Sequence, residues 1–330
     1  MPASMCERRV VAGIGETRIC DMEDGRIIEA AIDRGDAFRH GTCHAARLVK
    51  RLAAGGAEAR VGERTVLLDR WPSGATAGQR VDIRIVREPV PERGRMRDAK
   101  GAVIDPGERI ADISSERAEA ETETARPALD PDDWDLLIEE ARTGIVAFSG
   151  GLLSIVPTPA GTTIDVDGAL APDDLAVRGA MAAGHAIRRL GIAGSILIDL
   201  PSVEGKTARN AAAAALDEAL PPPFERTGVN GFGLLQVIRP RRRPSILEWV
   251  QNRPVDSAAL DLLRRAERSG ATGRAPRPIR NMELRAGDAV ITWLEARREL
   301  TAELARRTAA TIRLVRHGDD ALWWGDVHAL

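Results

Sequence analysis

Leu152-Leu153-Ser154-Ile155-Val156 and Thr162-Thr163-Ile164-Asp165-Val166-Asp167 are the two stretches that decide the architecture. Each alternates or runs apolar over strand length, and the Pro157 to Gly161 segment between them has the composition of a hairpin turn. Ile145 to Phe148, set off by Gly150-Gly151, reads as a third strand of the same meander. A helix is expected next, from about Asp174 to Leu190. Asp173 or Asp174 is its expected cap, Ala176, Ala180, Ala183, Ile187 and Leu190 its apolar stripe, and Gly191 its terminator.

The pattern continues with an apolar strand over Ser195 to Leu200 and a helix over Val203 to Leu220, stopped by Pro221 to Pro223. A strand over Gly233 to Ile238 completes it. Three hairpin-linked strands followed by alternating helix and strand describe a mixed sheet with helices packed on it. Beyond residue 250, helices near Ser257 to Ser269 and Ala289 to Arg307 and strands near Ala309 to Arg316 and Leu322 to Val327 form a small α+β module. Upstream the character is β: Glu16 to Cys20, Arg26 to Ile32, Ala45 to Arg51, Glu58 to Arg60, Thr65 to Leu68 and Val81 to Arg87 are short segments between Gly and Asp punctuation. Five or six such strands suggest a small barrel, either an oligonucleotide-binding one or a non-binding β-domain.

At 330 residues the chain has room for about two domains on a prior of ~150 residues each. Forty-seven basic and 49 acidic residues leave a net charge of −2, so the whole chain carries no field that points to a nucleic acid or a membrane. The distribution is less even. Asp105 to Glu140 holds thirteen acids and three arginines, a local −10 that leaves +8 on the rest. Its prolines and scarcity of large apolar side chains before Trp134 read as a linker, closed by a short helix over about Trp134 to Arg142. Arg226 to Leu247 contains Arg226, Arg239, Arg241, Arg242 and Arg243 and no acid, the clearest anion-binding candidate beside the plainer reading of a solvated basic loop.

No run reaches the ~18 apolar residues of a membrane span and Met1 to Arg9 lacks a signal-peptide core, so a cytoplasmic protein is expected. Cys6, Cys20 and Cys43 are three in number and form no C-x-x-C, which speaks against a disulfide framework and a cysteine zinc site. Six tryptophans, four phenylalanines and no tyrosine rule out an extensive aromatic platform for stacked bases.

Asp165 and Asp167 lie two apart on a strand, which turns both carboxylates to one face roughly 6 to 7 Å apart. Asp199 closes the apolar run Ser195-Ile196-Leu197-Ile198. Three carboxylates at one sheet edge suit Mg²⁺, which takes hard oxygen ligands and keeps several waters. The pair alone is a weak pattern, since aspartates at strand ends also cap turns. The five histidines are scattered and no Walker loop is present; Gly13 and Gly15 lack the following helix of a dinucleotide site.

Taken in order, Phe148-Ser149-Gly150-Gly151-Leu152-Leu153-Ser154, Thr163-Ile164-Asp165-Val166-Asp167, Ile196-Leu197-Ile198-Asp199 and Gly231-Phe232-Gly233-Leu234-Leu235-Gln236, with Arg239, Arg241 and Pro244-Ser245, resemble the catalytic core of the ribonuclease E/G family. Residues 16 to 97 look like that family's RNA-binding oligonucleotide-barrel domain, and residues 257 to 328 like its small C-terminal domain. The resemblance implies an OB-fold-like barrel over residues 1–100, an acidic linker with a short helix over 101–140, a ribonuclease H-like α/β catalytic domain over 141–250 and a small α+β domain over 251–330. It further implies a Mg²⁺-dependent endoribonuclease that cuts single-stranded RNA to leave 5′-phosphate and 3′-hydroxyl ends, in RNA processing or decay. Asp165 and Asp199 take the metal-binding positions. Asp167 stands where the family commonly has an Asn that orients phosphate or water. Arg239, Arg241, Arg242, Arg243 and Lys206 are the expected RNA contacts.

Three departures from the family are visible. Glu248 to Ser257 replaces the zinc-linking C-P-x-C, so no zinc-linked tetramer is expected, only a monomer or homodimer. Pro223 falls about where the family places an Arg that senses a 5′-monophosphate, and circular and 5′-monophosphorylated RNA are expected to behave alike. Ala59, Leu67 and Leu68 occupy the region of the barrel aromatics that clamp RNA. The rival reading is a non-catalytic RNA-binding or ribosome-associated protein that kept the fold and lost turnover.

Overall fold

In a computed structural model of the chain, described over residues 6–105, 131–271, 280–318 and 321–329, Thr17 opens a strand whose alternate side chains Arg18, Cys20 and Met22 are buried. This strand, β2 (Thr17–Glu23), pairs antiparallel with β1 (Glu7–Ala12) and β3 (Arg26–Asp33). The hairpin from β2 to β3 turns on Asp24 and Gly25, both at positive φ, where Asp is one of the few residues besides Gly that the left-handed region accepts.

Cys20, Met22, Ile27, Ala30 and Ile32 join the main α/β core rather than the barrel. The expectation that Glu16 to Cys20 and Arg26 to Ile32 are barrel strands is therefore corrected. They form a sheet of their own with β1, and its apolar face packs on a helix of the central unit.

The barrel comprises β4 (Cys43–Arg51), β5 (Ala57–Val61), β6 (Arg64–Leu68), β7 (Arg80–Arg87) and β10 (Ala99–Val103), in the closed order β10-β6-β5-β4-β7. Closure is made by β10, parallel to β6 and antiparallel to β7. Its sequence, Ala99-Lys100-Gly101-Ala102-Val103, is too weakly apolar to read as a strand. The small side chains have a use: Ala46, Ala57, Ala59 and Ala99 line the interior with Leu48, Val66, Leu68, Ile83 and Ile85. A Cβ on Gly101 would come within 3.0 Å of Leu68. Between β7 and β10 the chain makes the short hairpin β8 (Val90–Glu92) and β9 (Arg95–Arg97). The acidic segment falls largely on residues 106–130, outside the described residues; its closing helix is α1 (Pro131–Thr143), anchored by buried Trp134.

The central sheet has the order β11-β12-β13-β14-β16-β15, comprising β11 (Ile145–Phe148), β12 (Gly151–Thr158), β13 (Gly161–Gly168), β14 (Gly194–Asp199), β15 (Glu225–Arg226) and β16 (Leu234–Arg239). All neighbours are antiparallel except β13 and β14, which are parallel. The helices α2 (Pro172–Arg189) and α3 (Lys206–Ala219) pack on one another, and α2 lies against β12 and β13. The expected stripe Ala176, Ala180, Ala183, Ile187 and Leu190 is buried throughout. The start of α2 differs from expectation. Pro172 opens the helix, Ala171 caps it without a side-chain bond, and Asp173 and Asp174 sit in the first turn where they favour the helix dipole. Gly179 lets α2 approach the sheet, since a Cβ there would lie 2.4 Å from Val166 Cγ1.

Strand alternation now has a definite meaning. Leu153, Ile155, Ile164, Val166, Ile196, Ile198, Leu235 and Val237 are buried under the helices. Each such side chain contributes roughly 1.5 to 3 kcal/mol by leaving water. The opposite face, with Ile145, Leu152, Val156, Asp165, Asp167, Asp199 and Ile238, is open.

The chain leaves the sheet through α4 (Ile246–Asn252), which a capping box between Ser245 and Glu248 begins. Then come α5 (Pro254–Ala271), β17 (Asn281–Ala286), α6 (Asp288–Glu295), α7 (Arg298–Thr308), β18 (Thr311–Arg316) and β19 (Gly325–Ala329). The last sheet has the order β18-β17-β19. Its central strand β17 has no clear alternation, because Glu283 is buried beside Met282 and Leu284. The single helix expected over Ala289 to Arg307 is two: Arg297 leaves the helical region at φ −129° with no Gly or Pro to announce it. The molecule is thus a mixed α+β protein with a closed five-stranded barrel.

Candidate active site

The parallel pair sets the site. Thr162 to Asp165 of β13 lie in register with Ile196 to Asp199 of β14, so Asp165 and Asp199 are direct Cα partners. Neighbouring strands run about 5 Å apart, which places the two carboxylates side by side, Asp199 at the last residue of β14 and Asp165 within β13, which continues to Gly168. Asp167 stands two residues further along β13 on the same open face, with Leu152 as its partner on β12. The full cross-sheet row is Ile145, Ser154, Asp165, Asp199 and Leu234.

The grouping has an electrostatic signature. Partial burial, then the charges of Asp167 and Asp199 and a hydrogen bond with Asp167, push the Asp165 carboxyl above its ordinary value, opposed by the Val166 backbone N–H. Like charges gathered without a cation are a standing repulsion, which a divalent ion relieves. Among the described residues no three His, Cys, Asp or Glu side chains close into a ready-made metal cage. What the site offers is two facing carboxylates with a third beside them, all hard oxygens on the open face of the two central strands. Such a set fits Mg²⁺, whose remaining positions are filled by water or substrate.

Lys206 belongs to this end of the sheet. It is exposed at the first position of α3, which follows Asp199 after one short loop. The arginines do not. Gly194 pairs with Arg239 whereas Asp199 pairs with Leu234, so Arg239 lies five residues, roughly 17 Å, down the strand from the carboxylates. Because β16 runs antiparallel to β14, it delivers Arg239, and the Arg241 to Arg243 segment after it, to the sheet end opposite the carboxylates.

Within that group the side chains differ. Arg241 donates to the Ala193 carbonyl at 3.1 Å and pairs with Glu248 at 3.2 Å, which locks the loop onto the core. Arg239, half-buried, reaches the Ile192 carbonyl at 3.4 Å; burial pushes its guanidinium down, Glu29 opposes this, and Arg188 and Arg242 add to it. Arg242 and Arg243 are exposed. They line a cleft of about 270 Å³ together with Arg8, Arg239 and the carboxylates of Asp21 and Glu29. The barrel meets this cleft, with the Glu88 N–H donating to the Arg242 carbonyl at 2.9 Å. Nearby Arg87 is pushed down to about 10, by burial first and then by Arg97 and Arg241. Positive charge thus accumulates where barrel and central sheet join.

One prediction follows for this junction. Replacing Arg242 and Arg243 together by Ala is expected to weaken single-stranded RNA binding and to lower the slope of log affinity against log salt by about 1.4, at ~0.7 per phosphate contact. A fluorescence anisotropy titration across 50 to 200 mM salt checks it; an unchanged slope removes these side chains from the RNA surface.

Sequence reasoning passed over two neighbours of the carboxylates. Ser154, between Ile145 and Asp165 in the row, is half-exposed. Phe232, 81% exposed, sits in the turn that leads to Leu234, the partner of Asp199. The available signal for Phe232 was an aromatic between Gly231 and Gly233 after Asn230, a turn in which nothing buries a ring. No protein-family model matches the chain, and no curated protein matches it.

Proposed function

We propose that the protein is a Mg²⁺-dependent endoribonuclease of the ribonuclease E/G type, cutting single-stranded RNA and leaving 5′-phosphate and 3′-hydroxyl ends. The observation that carries the reading is the register of Asp165 with Asp199 on adjacent parallel strands, with Asp167 on the same open face. The sheet order supports it too, with an antiparallel meander followed by a parallel strand beneath helices, the plan expected of a ribonuclease H-like unit. The closed barrel is the corresponding candidate for an OB-fold RNA-binding module.

Asp165 and Asp199 are the residues that hold the ion. When bound, Mg²⁺ supplies charge neutralisation at a phosphoryl oxygen and lowers the pKa of a bound water. Asp167 accepts a hydrogen bond from water and so orients it toward the phosphodiester. Lys206, at the same sheet end, meets a non-bridging oxygen of the substrate. The open face leaves room for an extended strand of RNA; the arginine cleft lies at the far end of the sheet and on its helix side, where Arg239 follows Leu235 and Val237, and takes phosphates of a strand long enough to round that end, several nucleotides from the cut. Substrate is thereby gripped at two separated places, which suits an unstructured chain better than a compact ligand. Among the described residues no helix is long and apolar enough to cross a membrane.

A 3′-labelled unstructured RNA incubated with the protein in Mg²⁺ or in excess EDTA tests the reading. Internal cleavage is expected in Mg²⁺ only, and the downstream product should be a substrate for a 5′-monophosphate-dependent exonuclease. Binding without cleavage in Mg²⁺ would instead establish the non-catalytic RNA-binding alternative.

A further inference from the structure

Asn230 to Gly233 form a tight turn joining Thr227 and its neighbours to β16. The Asn230 N–H donates to the Leu234 carbonyl at 3.0 Å, and the Gly233 N–H to the Asn230 carbonyl at 3.2 Å. The Asn230 side-chain oxygen accepts from the N–H groups of Phe232 at 2.9 Å and Leu234 at 3.0 Å. Gly233 has φ +88°, and a Cβ there would lie 2.1 Å from the Leu200 carbonyl oxygen. The Gly233 carbonyl in turn accepts from the Leu200 N–H at 3.2 Å. The turn is therefore held internally and also stapled to the residue that follows Asp199.

On this constrained turn the Phe232 ring is left in water. Exposing a phenyl group forfeits the free energy of its burial. In the loop its neighbours are Gly228, partly buried Val229, Asn230 and Gly231, and added Cβ atoms at Gly228 and Gly231 would meet nothing within 4 Å. A protein interface is built from contiguous apolar area, whereas a single accessible ring presents a flat surface for one planar partner. Leu234, two residues along, shares the row of Asp165 and Asp199, so the turn sits within roughly 7 Å of strand of that row.

We propose that Phe232 is a base-stacking platform that receives the nucleobase next to the phosphodiester held at the carboxylates. This rests on the ribonuclease reading and extends it: the site selects an unpaired base, because a base inside a duplex has no free face for the ring. The rigid turn keeps stacking from spending conformational entropy on loop ordering.

The test uses the full-length protein and short unstructured RNAs, intact or carrying one abasic nucleotide at successive positions. Phe232→Ala should melt as the wild type does, since the ring is exposed, and should lose roughly ten- to a hundred-fold in affinity measured in EDTA and in kcat/KM measured in Mg²⁺. Phe232→Trp should retain both. For the wild type, one abasic position should cost a similar factor, and that position should cost Phe232→Ala nothing further. Equal behaviour of wild type and Phe232→Ala overturns the inference, as does a loss in Phe232→Ala that is the same for every abasic position. Loss of self-association in Phe232→Ala with RNA binding unchanged assigns the ring to a protein contact and overturns it too. If the wild type binds RNA but never cuts it, the ribonuclease reading fails while the EDTA binding series still decides the stacking. If it binds no RNA, both fail.

Discussion

Replacing Asp199 by Asn is expected to lower the rate of RNA cleavage in Mg²⁺ by a factor of roughly a hundred to a thousand, with RNA binding in EDTA and the melting temperature essentially kept. The same is expected of Asp165→Asn. The two substitutions are isosteric and remove only negative charge, and both side chains lie on the open sheet face, so the buried face of each strand is untouched. The thermal transition should hold or rise slightly, because Asp165 sits among like charges from Asp167 and Asp199 and each Asn removes one source of that repulsion. Asp167→Asn is the informative contrast. It introduces the residue that the ribonuclease E/G resemblance leads one to expect at this position, and activity within about tenfold of wild type is expected, since a side-chain amide still orients water or phosphate. A single-turnover cleavage assay on one unstructured RNA compares the four proteins. Wild-type rates in Asp165→Asn and Asp199→Asn would remove the carboxylate pair from the chemistry.

Glu16→Ala is expected to cost about 3 to 5 kcal/mol of folding stability, through a network that joins the N-terminal sheet to the C-terminal module. The Glu16 carboxylate accepts from Arg18 Nε at 3.0 Å and pairs with Arg34 at 3.4 Å. Arg18, itself 2% exposed, reaches Asp261 of α5 at 3.3 Å and lies over the Trp134 ring at 5.1 Å. Arg264, also on α5, donates to the Glu16 backbone carbonyl at 3.2 Å. Removing the carboxylate leaves buried guanidinium groups short of a counter-charge, and that uncompensated charge is the main cost. A fall in melting temperature of roughly 10 °C is the expected readout. A fall of 2 °C or less would show that solvent reaches the network and screens it.

The pH dependence of that contribution has a definite sign. Burial alone would raise the Glu16 carboxyl, but Arg18, Arg34 and Arg264 together outweigh it and hold the group below its ordinary value. A carboxylate lowered in the folded state contributes stability that is complete above its unfolded pKa of about 4.3 and is lost as pH falls through the lower folded value. The stability difference between wild type and Glu16→Gln should therefore be constant from neutral pH down to about 4.5 and shrink below it. Urea melts at pH 7, 5 and 3.5 measure this directly.

Much of the site was legible from residue order. The spacing of Asp165 and Asp167 put both on one strand face, and the apolar run before Asp199 identified a buried strand ending in an acid. Three features were not legible. Phe232 is visible as an aromatic between glycines, but its exposure depends on the turn being pinned at Leu200. The arginine series reads as one patch, yet Arg241 is engaged with Ala193 and Glu248 while Arg242 and Arg243 are free to meet solvent. Strand β10 closes the barrel with small residues whose value lies in fitting between Leu68 and Ile83, a matter of the space left by other strands.

By itself the amino-acid sequence determined what is local: the two-residue period of Thr163, Asp165 and Asp167, the helical stripe from Ala176 to Leu190, and the change from β to α/β character along the chain. These follow from backbone geometry that any short segment carries with it. Tertiary structure alone decided that Asp165 faces Asp199 across a parallel pair, that Arg239 to Arg243 lie at the other end of the sheet, and that residues 17–33 leave the barrel for the central core. Strand order, direction and register are choices among long-range pairings. They are settled by which apolar faces bury one another, and no single segment holds that information.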